Sequence, residues 1–386
     1  MPTPQAAETH DLRNVETPVL VLDQHRMDAN IRRMRDQLAR LGVAFRPHVK
    51  TSKSIDVVRR TIGAPTGPIT VSTLKEAEYF AGFGFTDILY AVGITPNKLQ
   101  HVFDLRARGV ALKVILDNVE MAEALAAAAT QRNASLDVMI EIDCDGHRSG
   151  VQPGSDELLY IAQRLAAAKL TLKGVITHAG SSYSCTSTAE IAAMSRQERD
   201  AAVACAQQLR QHGHGCPEVS VGSTPTAYFA DDLAGVTEVR AGVFVFGDLV
   251  MSGLGVVQPQ DIAVSVLTSV VGHQKEKGWT IVDAGWMAMS RDRGTSRQRV
   301  DQGYGVVCTL EGEILEDLVM VDANQEHGVI AHRSGDPKKA PALPVGTLLR
   351  ILPNHACATC AQHDRYHVVN GRGVQVNDVW PRLQGW

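Results

Sequence analysis

The chain has 386 residues, of which 44% are hydrophobic, and a formal net charge of −4. This length is sufficient for a large domain and a smaller one, each with a buried core. The near-neutral charge, with its basic residues scattered, gives no reason to expect a nucleic-acid partner. No apolar run approaches the roughly 20 residues that a membrane-spanning helix needs.

The N-terminal stretch Met1–Asn14 is polar and lacks the apolar core of a signal peptide. The seven cysteines are an odd number spread over a long chain, which favours reduced thiols over a disulfide framework. We therefore expect a cytoplasmic protein without a membrane or nucleic-acid partner.

Between residues 25 and 255 the sequence alternates between helical and strand periodicity. A first amphipathic helix ends at Gly42, and eight short β-rich runs come after it, separated by helical segments such as Met121–Gln131 and Glu157–Ala168. The eight runs are Val43–Val49, Pro68–Thr73, Asp87–Val92, Ala111–Asp117, Asp137–Asp143, Gly174–Gly180, Glu218–Ser223 and Glu238–Gly247. Eight strands, each followed by a helix, predict an α/β fold of the (β/α)₈ TIM-barrel type. A doubly wound open sheet is the rival, although it needs a switch point and usually has fewer strands.

The remaining chain, residues 256–386, predicts a second, mostly β domain. Its short strands are expected at Ile262–Val271, Trp279–Asp283, Val306–Leu310, Leu315–Val321, Leu348–Leu352 and Tyr366–Val369. The isolated run Thr17–Asp23 precedes the first helix, so we expect residues 1–24 to pair into this same domain.

Lys50 comes directly after the first predicted barrel strand and is flanked by Arg46, His48 and Lys53. Neighbouring positive charge is expected to lower the pKa of a lysine, and a deprotonated lysine is a nucleophile for aldehydes. Most lysines at strand ends are ordinary surface residues, so the position of Lys50 alone does not identify a reactive amine.

Polar and small residues also stand after the later strands, at the end of the barrel where active sites lie. Gly222, Ser223 and Thr224 come after the seventh strand, and Gly242 and Val243 after the eighth. The loops at these two places commonly hold a phosphate through amides and hydroxyls. Two tight glycine turns without a ligand are the plainer explanation.

An aldehyde-binding lysine together with a phosphate cradle indicates pyridoxal phosphate. Arg148 and His178, after the fifth and sixth strands, are candidates to hydrogen-bond or stack on its ring. Taken alone, Arg148 is better explained as a surface arginine and His178 as a core histidine.

A second cluster lies after the predicted strand Leu348–Leu352. His355 and Cys357 are two residues apart, and in extended backbone both would point to one side and bind one metal. Imidazole and thiolate suit Zn²⁺, with Mn²⁺ or another divalent cation as alternatives, and two protein ligands leave positions open. Buried free cysteines beside a surface histidine are the structural alternative.

These residues lie in motifs that are jointly specific: PHVKTSK, EIDCDGHRSGV, THAGSSY, VGSTPT, RAGV, DAGWMAMSRDRGT, NQEHG and LPNHACAT. Over nearly its whole length the chain resembles the fold-type III pyridoxal-phosphate enzymes of the D-serine dehydratase and D-threonine aldolase group. The resemblance implies an alanine-racemase-like barrel with a β domain, and a homodimer.

The resemblance also assigns roles to individual residues. Lys50 matches the lysine that binds the cofactor aldehyde and then acts in catalysis, and His355 and Cys357 match the metal pair. The expected cofactor contacts, besides Lys50, are Arg148, His178, Tyr183, Gly222, Ser223, Thr224, Gly242 and Val243.

The implied reaction is the elimination of water from a D-3-hydroxyamino acid, such as D-threo-3-hydroxyaspartate or D-serine, giving a 2-keto acid and ammonia. Aldolases of the group carry His-x-Asp at the metal pair and the zinc-dependent dehydratases carry His-x-Cys, as this chain does. A retro-aldol lyase that yields glycine and an aldehyde is the first alternative. A racemase and a non-catalytic cofactor carrier are the others. The stretch Thr359–Tyr366 departs from a dehydratase member of this group and leaves the exact substrate open.

Overall fold

The computed structural model describes residues 11–386. These residues divide into two compact units: Arg32–Gly242 with Gly385–Trp386, and the residues up to Ile31 with Val243–Gln384. The boundaries expected at residues 24/25 and 255/256 stay a prediction. Residues 1–10, which the sequence assigned to the β domain, lie outside the described residues.

The first unit contains an eight-stranded parallel sheet, which confirms the predicted barrel. In chain order the strands are Ala44–Phe45, Ile69–Val71, Asp87–Gly93, Ala111–Leu116, Asp137–Ile142, Thr171–Thr177, Glu218–Val221 and Glu238–Val239. Each strand pairs with the next in sequence from the second to the eighth, and the eighth pairs with the first. A single parallel bridge between His48 and Thr70 joins the first strand segment to the second and closes the circle.

Helices alternate with these strands because the intervening sequences carry caps and apolar faces. They are Ile55–Ile62, Leu74–Ala81, Leu99–Ala107, Val119–Arg132, Glu157–Ala167, Thr188–Gln211 and Thr224–Phe229, preceded by Gln24–Arg40. Thr73, Asn118 and Ser187 accept backbone hydrogen bonds at the start of three of them. Leu89, Ile115, Met139 and Ile176 form one buried cluster from four neighbouring strands. Side chains therefore fill this part of the barrel.

The second unit is a nine-stranded, mostly antiparallel sheet. Its strands are Val19–Asp23, Val264–Gln274, Trp279–Val282, Gly305–Cys308, Ile314–Ala323, Gly328–His332, Leu348–Pro353, Arg365–Val369 and Asp378–Pro381, with short helices at Leu249–Gly253, Trp286–Met289 and Ala356–Cys360. The strand Val19–Asp23 pairs with Val264–Gln274 and Arg365–Val369, as expected for the isolated N-terminal strand. Within residues 11–386, no helix has both the length and the apolar character needed to cross a bilayer.

Candidate active site

Lys50 lies in a turn rather than directly at the end of a strand. The first strand is shorter than predicted, because Pro47 has no amide hydrogen to continue the ladder. The chain instead pairs through the carbonyl of Pro47, which accepts the amide of Thr70 at 2.9 Å. The Lys50 side chain is exposed and therefore accessible to a ligand.

Two histidines near Lys50 are held in the neutral state. Burial lowers the pKa of His178 to about 3, and the positive charges of Arg148, Arg240 and Lys50 contribute. The Nδ1 atom of His178 lies 2.9 Å from the carbonyl oxygen of Gly222, so a neutral ring donates its proton there. This hydrogen bond opposes the shift in pKa but fixes the tautomer and the orientation of the ring.

The pKa of His48 is lowered well below its usual value, first by burial and then by the charges of Lys50 and Arg240. Its ring accepts the amide of Lys50 at Nδ1, 3.5 Å away, and its Nε2 lies 3.3 Å from the hydroxyl oxygen of Ser72. From the sequence, His48 was expected only as a neighbouring charge. Its neutral ring instead supports the backbone of the Lys50 turn.

The loop after the seventh strand is preorganised by its own side chains. Ser223 caps the helix Thr224–Phe229 and forms a reciprocal capping box with Thr226. The hydroxyl of Ser223 also lies 3.0 Å from that of Ser182, in the loop after the sixth strand. Gly222 has a φ of +131° and packs directly on the Arg240 backbone, where a Cβ atom would clash.

The loop after the eighth strand approaches the Lys50 turn closely. A Cβ atom on Gly242 would lie 3.0 Å from the carbonyl oxygen of His48 and 3.3 Å from the hydroxyl oxygen of Thr51. Only a residue without a side chain therefore leaves this space open. Val243 comes next in a short 3₁₀ helix, Val243–Val245, which belongs to the other unit.

Glu198 is a buried residue of this region that no sequence motif indicated. It lies on the helix Thr188–Gln211, and its Oε1 atom accepts the amides of Ala179 at 2.8 Å and Gly222 at 3.0 Å. One carboxylate thus ties the loop after the sixth strand to the loop after the seventh. Burial raises the pKa of Glu198.

Arg148 and Tyr183 lie at the edge of this group. The Arg148 guanidinium is half exposed and lies 3.8 Å from the Glu141 carboxylate. The ring of Tyr183 is tilted at 44° to that of His178, with 6.1 Å between the ring centroids. The small cradle at Gly222, Ser223 and Gly242, beside a neutral oriented imidazole and an accessible lysine, fits the phosphate, ring and aldehyde of pyridoxal phosphate.

The predicted metal pair lies in the β unit, but its backbone differs from the expectation. His355 is extended and precedes the helix Ala356–Cys360, so Cys357 lies in the first helical turn rather than in extended chain. The expectation of one continuous extended segment is therefore wrong. The two side chains nevertheless contact each other. A hydrogen bond between them raises the pKa of the imidazole.

Asp292 is a partner of this pair that was not expected from the sequence. Its Oδ2 atom lies 2.6 Å from Nδ1 of His355. Burial lowers the pKa of His355, but the hydrogen bonds to Asp292 and Cys357 outweigh it and raise the pKa to about 11. A carboxylate on one ring nitrogen is the usual support for a histidine that binds a metal through the other. Within residues 11–386, no group of three or more candidate ligand side chains forms a metal site.

The polar groups in the stretch Thr359–Tyr366 are engaged locally. Cys360 is fully buried at the end of the same short helix, and burial raises the pKa of its thiol to about 12. The Nε2 atom of His363 lies 2.9 Å from the Ala288 carbonyl oxygen. Asp364 and Arg365 pair with each other at 2.6 Å on the surface. These contacts favour structural roles for the four residues.

Comparisons with known families match both units. The alanine racemase N-terminal domain matches residues 22–250, and a putative serine dehydratase domain matches residues 263–369. The chain is 51% identical over 381 residues to a D-threo-3-hydroxyaspartate dehydratase from Delftia sp., covering 97% of this chain and 99% of that one. This chain belongs to the D-serine dehydratase-like family of the alanine racemase fold.

Other members of this family carry different activities. A D-serine dehydratase from Dictyostelium discoideum is 30% identical, over 96% of this chain and 98% of that protein. A 3-hydroxy-D-aspartate aldolase from Paracoccus denitrificans is also 30% identical, over 96% of this chain and 92% of that protein.

A solved structure of a cysteine-to-alanine variant of D-threo-3-hydroxyaspartate dehydratase, in the metal-free form, matches with a TM-score of 0.95. The two sequences are 50% identical, and the match covers 98% of this chain and 100% of that chain. The family, the fold and the class of lyase expected from the sequence are thereby confirmed.

Proposed function

We propose that this protein is a pyridoxal-phosphate- and metal-dependent dehydratase that removes water from a D-3-hydroxyamino acid, with D-threo-3-hydroxyaspartate as the first candidate substrate. The products would be a 2-keto acid and ammonia. The observation that carries the proposal is the 51% identity, over nearly the whole of both chains, to a dehydratase of that specificity.

The barrel residues supply the proposed cofactor site. Pyridoxal phosphate, when bound, supplies an electron sink for negative charge at Cα of the substrate. Lys50 is proposed to hold the cofactor aldehyde and, once released as a free amine, to take the Cα proton.

The residues around Lys50 are proposed to hold and orient the cofactor. The phosphate is assigned to Gly222, Ser223, Thr224, Gly242 and Val243, whose small or hydroxyl-bearing side chains fit it. The ring is assigned to His178, Arg148 and Tyr183. The neutral state of His178 supports this assignment, because a neutral imidazole packs on a ring without adding a buried charge.

His355 and Cys357 are proposed to hold a zinc ion, because a thiolate ligand favours zinc over manganese. The metal would supply a Lewis acid for the β-hydroxyl group, which makes hydroxide a better leaving group. A homodimer and a cytoplasmic location, both expected from the sequence, complete the proposal.

A retro-aldol reaction is the second candidate, favoured by the 30% identity to a 3-hydroxy-D-aspartate aldolase. In that reaction His355 and Cys357 would hold a metal that supplies charge stabilisation at the same hydroxyl group, whose C–O bond stays intact. The His-x-Cys pair at residues 355 and 357 supports the dehydratase, since the resemblance associates His-x-Asp with the aldolases.

The proposal is tested by incubating the purified protein with D-threo-3-hydroxyaspartate, D-serine and D-threonine in parallel. A 2-keto acid with an equal amount of ammonia is the expected product, and the relative rates identify the substrate. Lys50→Ala should abolish turnover together with the visible absorbance of the lysine-bound cofactor. An unchanged absorbance band in that variant would overturn the role of Lys50.

A further inference from the structure

Lys53, three residues after Lys50, has an unusual backbone. Its φ is +44°, in the left-handed region that residues with a side chain rarely adopt. Its amide donates to the carbonyl of Val49 at 2.8 Å and so closes the turn that carries Lys50. Lys53 is also only 8% exposed, whereas lysines usually extend their charged end into water.

The buried ammonium of Lys53 has a charged partner in the same unit. Its Nζ atom lies 3.3 Å from Oε1 of Glu76, a side chain with no exposed surface. The other carboxylate oxygen of Glu76 accepts the amide of Ser72 at 3.0 Å. Loss of the lysine charge would therefore leave a buried carboxylate without its counter-ion, which is strongly unfavourable.

The same short segment, Ser72–Glu76, also holds the other end of the turn. The hydroxyl oxygen of Ser72 lies 3.3 Å from Nε2 of His48, whose Nδ1 accepts the amide of Lys50. His48 and Lys53 therefore attach the two ends of the Lys50 turn to the start of one helix.

A further pair of contacts covers the Lys53 side chain. Its Nζ atom donates to the Gly385 carbonyl oxygen at 3.1 Å and lies 5.4 Å from the centroid of the Trp386 ring. Gly385 and Trp386 belong to the barrel unit, although they come after the β unit in the chain. The ammonium group thus has partners both from the barrel and from this C-terminal pair.

We propose that Lys53 is a positioning residue that sets the direction in which Lys50 meets the cofactor. The inference rests on the proposed role of Lys50 in holding pyridoxal phosphate. The exposed Lys50 side chain depends on the orientation of its turn, and Lys53 holds that turn by a strained backbone and a buried ion pair. Misplacement of a reacting group by about 1 Å can cost roughly a hundredfold in rate.

The experiment compares wild type with Lys53→Asn, Lys53→Arg and the double variant Lys53→Asn/Glu76→Gln. Asparagine tolerates the left-handed backbone but cannot reach Glu76, and arginine retains the charge. The readouts are the dissociation constant for pyridoxal phosphate, the pH profile of the lysine-bound cofactor absorbance, and Tm. Lys277→Asn is the control, since Lys277 contacts Trp279 on the surface of the other unit.

Lys53→Asn should weaken cofactor binding by roughly tenfold to a hundredfold and shift the pH profile. Lys53→Arg should retain most of the cofactor affinity and of the wild-type pH profile. The control variant Lys277→Asn should match wild type in both. The double variant should recover the Tm of wild type, because residue 76 is then uncharged and needs no counter-ion. Its cofactor binding should stay weak.

Recovery of both Tm and cofactor affinity in the double variant would show a purely structural role and overturn the inference. So would wild-type affinity in Lys53→Asn. Absence of cofactor binding by wild type itself would overturn the proposed function as well, so the two failures are distinguishable.

Discussion

Oδ2 of Asp292 lies 2.6 Å from Nδ1 of His355, and the two residues are 63 positions apart in the chain. Asp292 is itself held in place, because Oδ1 accepts the amide of Gly294 at 2.9 Å and its own amide donates to the Ser290 hydroxyl at 3.1 Å. The hydrogen bond to His355 also lowers the pKa of Asp292 and keeps it ionised. An ionised, fixed carboxylate would keep the Nδ1 proton of His355, so that Nε2, once it has lost its own proton, is the nitrogen that a metal can bind.

Asp292→Asn should therefore weaken zinc affinity by roughly tenfold to a hundredfold, the effect typical of such supporting residues. Metal titration against a competing chelator measures this directly, without an activity assay. Asp364→Asn is the control, since Asp364 pairs with Arg365 on the surface. Equal zinc affinity in Asp292→Asn and wild type would contradict a supporting role.

Cys357 and Cys360 offer a matched pair within one short helix. Cys357→Ala should lose zinc and most turnover while keeping the absorbance of bound pyridoxal phosphate, because the cofactor is assigned to other residues. Cys360→Ala removes a fully buried thiol that we assign to packing, so its zinc content should equal that of wild type. Metal analysis and absorbance spectra of the two variants check this. Full activity in Cys357→Ala would remove the basis of the metal assignment.

Glu198 is expected to stabilise the barrel through the two loops that it joins. Glu198→Ala leaves the buried amides of Ala179 and Gly222 without their acceptor, at about 1–3 kcal/mol each. Glu198→Gln keeps an acceptor oxygen and should be much closer to wild type. Urea and thermal unfolding of the two variants measure the difference. Similar stability in both would show that the hydrogen bonds from these amides contribute little.

The lowered pKa of His178 predicts that the folded protein loses stability as the pH falls below neutral. Its pKa in the folded protein, about 3, is below the usual 6.5, so the unfolded chain binds a proton over this range while the folded chain does not. Above pH 6.5 the ring is neutral in both states, and the stabilising contribution of the lowered pKa is fully present. As the pH falls from 6.5 toward 3 this contribution is lost, and the free energy of unfolding decreases by on the order of 2 kcal/mol by pH 5. Unfolding of the cofactor-free protein between pH 7 and 5 should show a flatter profile in His178→Asn. A variant of the exposed His212, His212→Gln, should retain the wild-type slope, and an identical slope in all three proteins would refute the prediction.

The sequence predicts the barrel well because its pattern is local. Strand-like runs recur eight times with helical segments between them, and each run needs only its own residues to be recognised. Two β-domain strands, Gly328–His332 and Asp378–Pro381, were not predicted. Both are short, and the exposed residues of the second resemble a loop in composition.

The supporting residues of the site could not be found in the same way. Lys50, His355 and Cys357 belong to short motifs, but Asp292 and Glu198 act on partners 63 and 24 residues away, respectively. Their contacts exist only after strands and helices have packed. Motif membership offered one indication for Asp292, since it lies within DAGWMAMSRDRGT, and none for Glu198.

The most direct test of the dehydratase assignment is to quantify ammonium and glycine formed together from D-threo-3-hydroxyaspartate by the zinc-loaded protein. Elimination of water predicts one ammonium and one 2-keto acid for each substrate molecule consumed, with no glycine. Glycine in equal amount to an aldehyde, without ammonium, would contradict the account and identify the protein as an aldolase.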